Sequence, residues 1–309
     1  MRKVYCIGEL LVDFIGQPDQ TIVNSKYFAK QPGGAPANVA AAIAKLGGEA
    51  SFIGQAGNDG FGSFLIASLQ ELEINTDWCW KHGKTTLAFV AVDSFGEREF
   101  EFYRGSDGDY TLPENINIAP DSIIHFGSAT ALLGGALKDS YFKLLDYATG
   151  NGNYISFDPN FREDLVKTDV TSEYIHDCRT IISCAHLVKL NQSEAQLISG
   201  EDNLNSAADT ILRLGTEVVI ITLGSSGALL CTNSGQKLIP GKLIKAVDTT
   251  GAGDAFIGAI LFKLAQGLDP NWEIFISFAN FVAAFTCTNY GAMNAMPYMR
   301  DLLSFINQK

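Results

Sequence analysis

Asp248-Thr249-Thr250-Gly251-Ala252-Gly253-Asp254-Ala255-Phe256 ends a polar loop and opens an apolar helix over 255–265. Gly251 and Gly253 remove side chains where an anion would have to touch backbone N–H groups. A helix start supplies such unpaired donors together with the positive end of a dipole, so a phosphate can sit there without a lysine. Asp254 conflicts with that cradle, because a carboxylate beside a phosphate repels it. The conflict resolves if Asp254 faces a hydroxyl that attacks the phosphate, which makes the stretch a candidate for phosphoryl transfer. The plain alternative is a close-packed helix start with a first-turn aspartate. No Walker loop of the form Gly-x4-Gly-Lys-Ser/Thr occurs, and a dinucleotide fingerprint would need glycine where Phe256 stands.

Outward from this stretch, short β-rich runs at 4–7, 50–55, 122–126, 154–157, 186–190 and 218–222 alternate with helical ones. The helical segments fall near 37–46, 60–72, 137–148, 172–183, 194–199 and 206–214. That order implies right-handed βαβ crossovers and a three-layer α/β fold, a doubly wound, mainly parallel sheet covered on both faces. All 309 residues read as one domain. Two segments, about 14–30 and 85–104, break the rhythm with alternating residues and no helix. Glu97-Arg98-Glu99-Phe100-Glu101-Phe102-Tyr103 alternates polar with aromatic, as a half-exposed antiparallel strand does. Ligands of doubly wound folds bind at the carboxyl ends of the strands, so a small sheet made from these segments is expected to form a lid over a site. Its exposed aromatics offer a surface for a homodimer. A later hairpin joins 228–231 to 237–239 through Asn233-Ser234-Gly235.

With 47% hydrophobic and 18% charged residues the chain can bury a full core. Its net charge of −12 argues against nucleic acid and anionic membranes as partners, but not against ATP, which needs only a local positive patch. No apolar run is long enough to span a membrane, and Met1-Arg2-Lys3 leads straight into a strand, so no signal peptide is expected. Six cysteines without a CxxC pair read as buried thiols of a reducing cytoplasm. The four histidines show no metal-ligand spacing.

Several further stretches carry chemistry. Gly33-Gly34-Ala35-Pro36-Ala37-Asn38 opens a small-residue helix; the glycines let a ligand approach the backbone, and Asn38 offers a donor and an acceptor to hydroxyls. Asp13, after the first strand, can accept two hydrogen bonds from a vicinal diol; otherwise it is a turn aspartate. In Lys189-Leu190-Asn191-Gln192-Ser193-Glu194, Asn191 and Glu194 have capping-box spacing, with a water-mediated role near a nucleotide's Mg²⁺ as the functional alternative. Thr222-Leu223-Gly224-Ser225-Ser226-Gly227 follows a strand and can wrap ribose and phosphates. Arg104, and Arg162 in Phe157-Asp158-Pro159-Asn160-Phe161-Arg162, are candidate substrate or phosphate clamps; a surface ion pair is the alternative for each.

In this order the pieces resemble the ribokinase-like (PfkB-type) carbohydrate kinases over nearly the whole chain: Gly8–Asp13, Gly33–Asn38, Lys189–Glu194, Thr222–Gly227 and Asp248–Phe256. Within that family, the Gly33–Ala40 stretch, Gly96-Glu97-Arg98-Glu99-Phe100 with Phe102-Tyr103-Arg104, and Asp158–Arg162 look most similar to fructokinases. The resemblance implies ATP and Mg²⁺ as cosubstrates and often K⁺. It makes Asp254 the base, with Gly251, Ala252 and Gly253 the anion hole. Asp13, Gly33, Gly34, Asn38, Arg104 and Arg162 would contact the sugar, and Lys189, Asn191, Glu194, Thr222, Gly224, Gly227 and Asn280 would serve the nucleotide. A monovalent cation would use Asp248, Thr250 and carbonyls of Thr286, Asn289 and Gly291. Ala295 stands where ribokinases often carry serine, a departure at the last cation ligand.

The activity these features favour is ATP-dependent phosphorylation of a ketose, D-fructose at O6. A 2-keto-3-deoxygluconate kinase would instead use Arg104 and Arg162 on a carboxylate, and another ribokinase-like sugar or nucleoside kinase is a further alternative. A non-catalytic sensor of sugar or nucleotide would have lost Asp254 or the glycines, and both are retained.

Overall fold

The first apolar run forms β1 (Val4–Ile7), buried at every position. Continuous burial is what a strand inside a parallel sheet requires. The computed structural model describes residues 1–92, 98–166, 171–267 and 269–306. After β1 the chain forms β2 (Leu11–Gly16), β3 (Phe28–Gly33), α1 (Ala35–Lys45), β4 (Ala50–Ala56), α2 (Gly60–Glu71), β5 (Asn75–Lys81), β6 (Thr86–Val92) and β7 (Arg98–Tyr103). The middle of the chain supplies β8 (Ile123–Phe126), α3 (Ala136–Asn151), β9 (Tyr154–Phe157), α4 (Thr171–Cys184), β10 (Leu187–Asn191), α5 (Gln192–Ser199) and α6 (Leu204–Leu212). The last part holds β11 (Val218–Thr222), the hairpin β12 (Gly227–Thr232) and β13 (Gly235–Pro240), and α7 (Ala252–Ala265), α8 (Trp272–Thr286) and α9 (Met299–Ile306).

Among the described residues nine strands form the main sheet, in the order β13-β12-β11-β10-β9-β8-β1-β4-β5. Pairing is parallel from β5 to β11, and only the terminal hairpin is antiparallel. Alternate side chains of β1 enter different cores. Val4 and Cys6 join residues of α1, α7 and α8, while Tyr5 and Ile7 join residues of α3, α4 and α6. Helices therefore cover both faces, giving the three-layer, doubly wound architecture expected from the strand–helix order.

A separate four-stranded sheet runs β3-β2-β6-β7. Its central pair, β2 and β6, is parallel, which is possible because the intervening chain crosses through the main sheet before returning. The edges are antiparallel, and β7 pairs with β6 from Leu87↔Tyr103 to Val92↔Arg98. Gly96 and Glu97 of the alternating stretch lie outside the described residues. Asp13 does not close a turn after β1; it lies within β2, between Gln31 of β3 and Ala88 of β6.

Three elements are not announced by the strand–helix alternation. Half-buried β5 extends the sheet at its edge. Phe- and Ile-rich α8 becomes helical where its apolar face packs with α7, and α9 closes the chain. Of the cysteines, Cys6, Cys178 and Cys231 are buried as expected, whereas Cys79, Cys184 and Cys287 are only partly so, and all six are free thiols. Among the described residues no helix is long and apolar enough to cross a membrane.

The contact that positions the site is α1 against α7. Small residues let these helices approach so closely that a Cβ on Gly258 would stand 2.6 Å from Cβ of Ala42 and 3.1 Å from the carbonyl of Val39. In an open helix a residue larger than glycine is favoured; here the facing helix reverses that preference. Gly258→Val is expected to destabilise the protein by about 1–3 kcal/mol through overpacking, read from urea unfolding. An unchanged or higher midpoint would contradict the close approach.

Candidate active site

α7 begins at Ala252, three residues earlier than the apolar pattern indicates, because Gly251 adopts φ +74° and turns the chain into the helix. A Cβ there would be 2.7 Å from that of Ala292, so both conformation and space select glycine. Asp254 is thereby the third residue of the helix, inside the first turn. The Ala252 N–H donates to the Thr249 carbonyl at 3.2 Å, so one amide of the expected three-amide hole already serves the loop. The remaining first-turn amides keep the orientation that favours an anion.

Two cavities meet at this helix start. The larger, about 260 Å³, is lined by Thr222, Gly224, Ser225, Gly227, Gly241, Lys242, Thr249, Ala252, Gly253, Phe256, Asn280, Ala284 and Cys287, among others. The smaller, about 120 Å³, is lined by Glu9, Leu11, Asp13, Gly34, Asn38, Ala88, Phe100, Phe102, Thr130, Arg162, Thr250, Gly251 and Asp254, among others. Both Phe100 and Phe102 of β7 thus face the smaller cavity, while Tyr103 is exposed. The apolar side of that alternating strand is turned inward over the cavity rather than outward.

Asp254 is 6% exposed, and its Oδ2 accepts a 2.9 Å hydrogen bond from Nδ2 of Asn38 at the start of α1. Burial raises the Asp254 pKa above the ordinary aspartate range, and the Asn38 bond, Arg162 and Lys189 only partly oppose it. The Oδ1 atom of Asn38 is buried without a hydrogen-bond partner, leaving an acceptor unsatisfied beside the smaller cavity. Gly33 packs behind Asp13, whose carboxylate a side chain at Gly33 would strike.

The two arginines part company. Asn160, at φ +47°, turns the chain after β9, and its side chain accepts from Nη2 of Arg162 at 3.1 Å. Arg162 is exposed and lines the smaller cavity. Arg104 does not line it. Its Nη2 donates to the Thr130 and Gly134 carbonyls at 3.0 and 3.3 Å, and its Nε lies 3.6 Å from Asp107. Its Nη2 is engaged in holding the loop after β7, while Nε is buried without a hydrogen-bond partner.

Lys189, Asn191 and Glu194 sit behind the cavities rather than in their walls. Lys189 is buried, with Nζ 2.8 Å from Oδ2 of Asp158. The same Nζ would be 3.2 Å from a Cβ on Gly253, so the ammonium backs the turn of α7. Burial opposes its charge, but Asp158, Glu194 and Asp254 outweigh that and raise its pKa. Asn191 and Glu194 form a complete capping box: Asn191 Oδ1 accepts from the Glu194 N–H at 2.8 Å, and Glu194 Oε2 accepts from the Asn191 N–H at 2.7 Å. Glu194 Oε1 accepts from the Phe161 N–H at 3.0 Å, so both of its oxygens serve the fold. Burial nevertheless raises its pKa, against the pull of Lys189.

Asp248 ties two loops. Its Oδ1 accepts from the amide and hydroxyl of Thr250 at 2.9 and 2.6 Å, and its Oδ2 from the Gly291 N–H at 2.8 Å. The Thr286 carbonyl accepts from the Asn289 N–H at 3.3 Å. Among the described residues no cluster of three or more His, Cys, Asp or Glu side chains could hold a metal. A cation here would rely on main-chain carbonyls with Asp248 as countercharge.

Sequence reasoning missed Glu9, a buried carboxylate in the wall of the smaller cavity. Its Oε1 accepts from the first amide of α1, Ala35, at 2.9 Å, and Oε2 from the Ser128 hydroxyl. Its position just past the carboxyl end of a buried strand was the available signal. Asp158, the partner of Lys189, was likewise quoted only as part of a motif.

The sequence model of the pfkB family carbohydrate kinases matches residues 1–299. The chain is 34% identical over 321 residues to probable fructokinase-5 of Arabidopsis thaliana, covering 99% of this chain and 98% of that relative. It is 31% identical over 316 residues to a fructokinase of Vibrio alginolyticus, across the full length of both. The crystal structure of a Vibrio cholerae O395 fructokinase in its fructose-, ADP- and calcium-bound form superposes with a TM-score of 0.88 at 29% identity, over 99% of each chain. The chain belongs to the pfkB family of carbohydrate kinases.

Lys189 is the counter-ion of three buried carboxylates. Lys189→Met is expected to cost about 3–5 kcal/mol of stability at pH 7, the penalty of stranding buried charge. Glu194 and Asp254 have raised folded-state pKa values, so they take up protons as pH falls and the penalty should shrink towards acid. Urea unfolding at neutral and mildly acidic pH measures both; a cost independent of pH would contradict the assignment.

Proposed function

We propose that this pfkB-family carbohydrate kinase transfers the γ-phosphoryl group of ATP to O6 of D-fructose. One observation carries the reading: a buried aspartate and the backbone turn of a helix N-terminus stand together where two cavities meet. The larger cavity suits a nucleotide. Gly224, Gly227 and Gly241 leave its backbone open, and Phe256 and Ala284 give it apolar walls. The smaller suits a sugar, since Asp13, Glu9 and the unpartnered Asn38 Oδ1 supply acceptors for hydroxyls beside the apolar Leu11, Phe100 and Phe102.

In this reading Asp254 receives the proton of the attacking primary hydroxyl. Its raised pKa brings its proton affinity nearer to that of a working base, and Asn38 fixes which oxygen remains for the substrate. The first-turn amides and dipole of α7 neutralise charge building on the transferring phosphoryl oxygens, with Lys189 behind Gly253 and Arg162 across the cavity adding positive field. The small sheet excludes water, so the sugar rather than solvent attacks.

Magnesium fits as an ion carried on the nucleotide's phosphates, which needs no cluster of protein carboxylates. A monovalent cation such as K⁺ would be held by carbonyls of Thr286, Asn289 and Gly291 with Asp248 and Thr250, where it would strengthen the positive field at the α7 turn. Glu194 accepts one backbone amide on each oxygen, which fixes its carboxylate in the capping box behind the nucleotide cavity and leaves further lone pairs for a water on such an ion. A cytoplasmic location and a homodimer through the small sheet belong to the same proposal; exposed Val23, Tyr27 and Tyr103 give that region apolar surface.

A 2-keto acid substrate is disfavoured by charge. Arg104 is tied to Asp107 and two carbonyls, which leaves Arg162 facing Glu9, Asp13 and Asp254 in the cavity. ADP release should therefore be fastest with D-fructose when fructose, ribose, an aminoimidazole riboside and 2-keto-3-deoxygluconate are compared. Faster turnover of any other acceptor would replace fructose. Asp254→Ala should retain nucleotide binding and lose about 10²–10⁴-fold in kcat; near-normal turnover would defeat the mechanism.

The acid side of the pH profile gives a separate check. A base must be deprotonated, and burial holds the Asp254 pKa above its usual value, so kcat/KM should fall on acidification above the ordinary aspartate range near about 3.9. Asn38→Leu removes a hydrogen bond that favours the carboxylate and should move this limb to higher pH. An unmoved limb would assign the titration to another group.

A further inference from the structure

Lys45, the last residue of α1, is 9% exposed, and its ammonium is turned inward. Nζ donates to the carbonyls of Met293 at 2.8 Å, Met296 at 3.0 Å and Asn294 at 3.4 Å. Three acceptors saturate the three protons of an ammonium. The same Nζ stands 5.1 Å from the ring centroid of Tyr298. None of these residues lines either cavity.

The carbonyls belong to a strap, 291–298, that touches the site from behind. Its Gly291 amide binds Asp248, and Ala292 packs directly beneath Gly251. Asn294 donates to Gln31 of β3, and the Tyr298 amide donates to Asp301 at 2.9 Å. Three carbonyl dipoles converging on one point repel each other unless a cation sits among them. Burial lowers the Lys45 pKa, and the neighbouring Asp301 works against that loss of charge.

We propose that Lys45 is a positioning residue for phosphoryl transfer, a built-in cation that pins the 291–298 strap to α1 and thereby fixes Gly251 and Asp248 behind the anion-holding turn of α7. The two ends of α1 then serve one purpose. Asn38 near its start orients Asp254, and Lys45 at its end orients the loop from which α7 departs. The interaction uses the charge of Lys45 and not merely its volume, which separates this role from packing.

The test compares Lys45→Met, which keeps length without charge, with Lys45→Arg, which keeps the charge. With the sugar that the parent enzyme turns over best, Lys45→Met should lower kcat by about tenfold or more while leaving both KM values within about threefold, because the reacting groups rather than the binding groups are displaced. Lys45→Arg should recover most of that loss. Amide hydrogen exchange over 291–298 should accelerate in Lys45→Met and stay near the parental rate in Lys45→Arg. If Lys45→Met does not fold, Lys45→Gln, neutral but polar, takes its place with the same readouts.

Turnover of the neutral variant within about twofold of the parent would overturn the proposal, since it leaves no room for the displacement that costs rate. Equal losses in the methionine and arginine variants, or unchanged exchange in the strap, would overturn it as well. The turnover arm rests on the kinase reading, whereas exchange does not. A parent that phosphorylates no sugar would defeat that reading alone, and the strap would still be decided by exchange.

Discussion

The site depends on holding a carboxylate, Asp254, inside the first turn of a helix whose dipole gathers negative charge. Left alone, such a group would either be solvated or surrender its usefulness to burial. Asn38 counters part of the burial penalty by donating to one oxygen at 2.9 Å, and the close approach of α1 and α7 at Gly258 brings the two residues' helices together. Helix packing and chemistry are here one constraint. The run of small residues in α1 makes the approach possible, and the approach delivers the hydrogen bond.

Around that contact the chain arranges charge economically. The protein carries a net charge of −12, yet the α7 turn presents the positive end of a helix dipole to the cavities. The positive field comes from oriented amides and from two single cations, buried Lys189 behind Gly253 and exposed Arg162 across the smaller cavity. Each buried cation has its own acceptors: Asp158 for Lys189, three carbonyls for Lys45. Ordered dipoles keep their direction as charge moves, which is why such a site needs little reorganisation.

The small sheet supplies the remaining wall. Its inner face carries Asp13 on β2, Ala88 on β6 and Phe100 and Phe102 on β7 over the smaller cavity. A carboxylate thus enters the wall from the central strand β2, and apolar cover comes from the edge strand β7. Asn294, donating to Gln31 on β3, links this sheet to the strap behind α7. Two parts of the molecule that are remote in sequence meet around one small volume.

Much of this was legible in residues alone. Strand–helix alternation pointed to the three-layer fold because fully buried parallel strands have to be continuously apolar, and the run from Asp248 to Phe256 marked a helix start to within three residues while leaving close packing and an anion site both open. What sequence could not decide were partners. Arg104 and Arg162 look alike as letters, but one is tied to Asp107 and the other faces a cavity. Glu194 has spacing suited to a cap or a metal, and only the fold shows both oxygens held by amides. Asp13, Glu9 and Lys45 acquire meaning from residues up to 251 positions away. Local patterns set by backbone geometry and burial are written along the chain, whereas the neutralisation of a buried charge depends on whatever distant group the packing brings within reach.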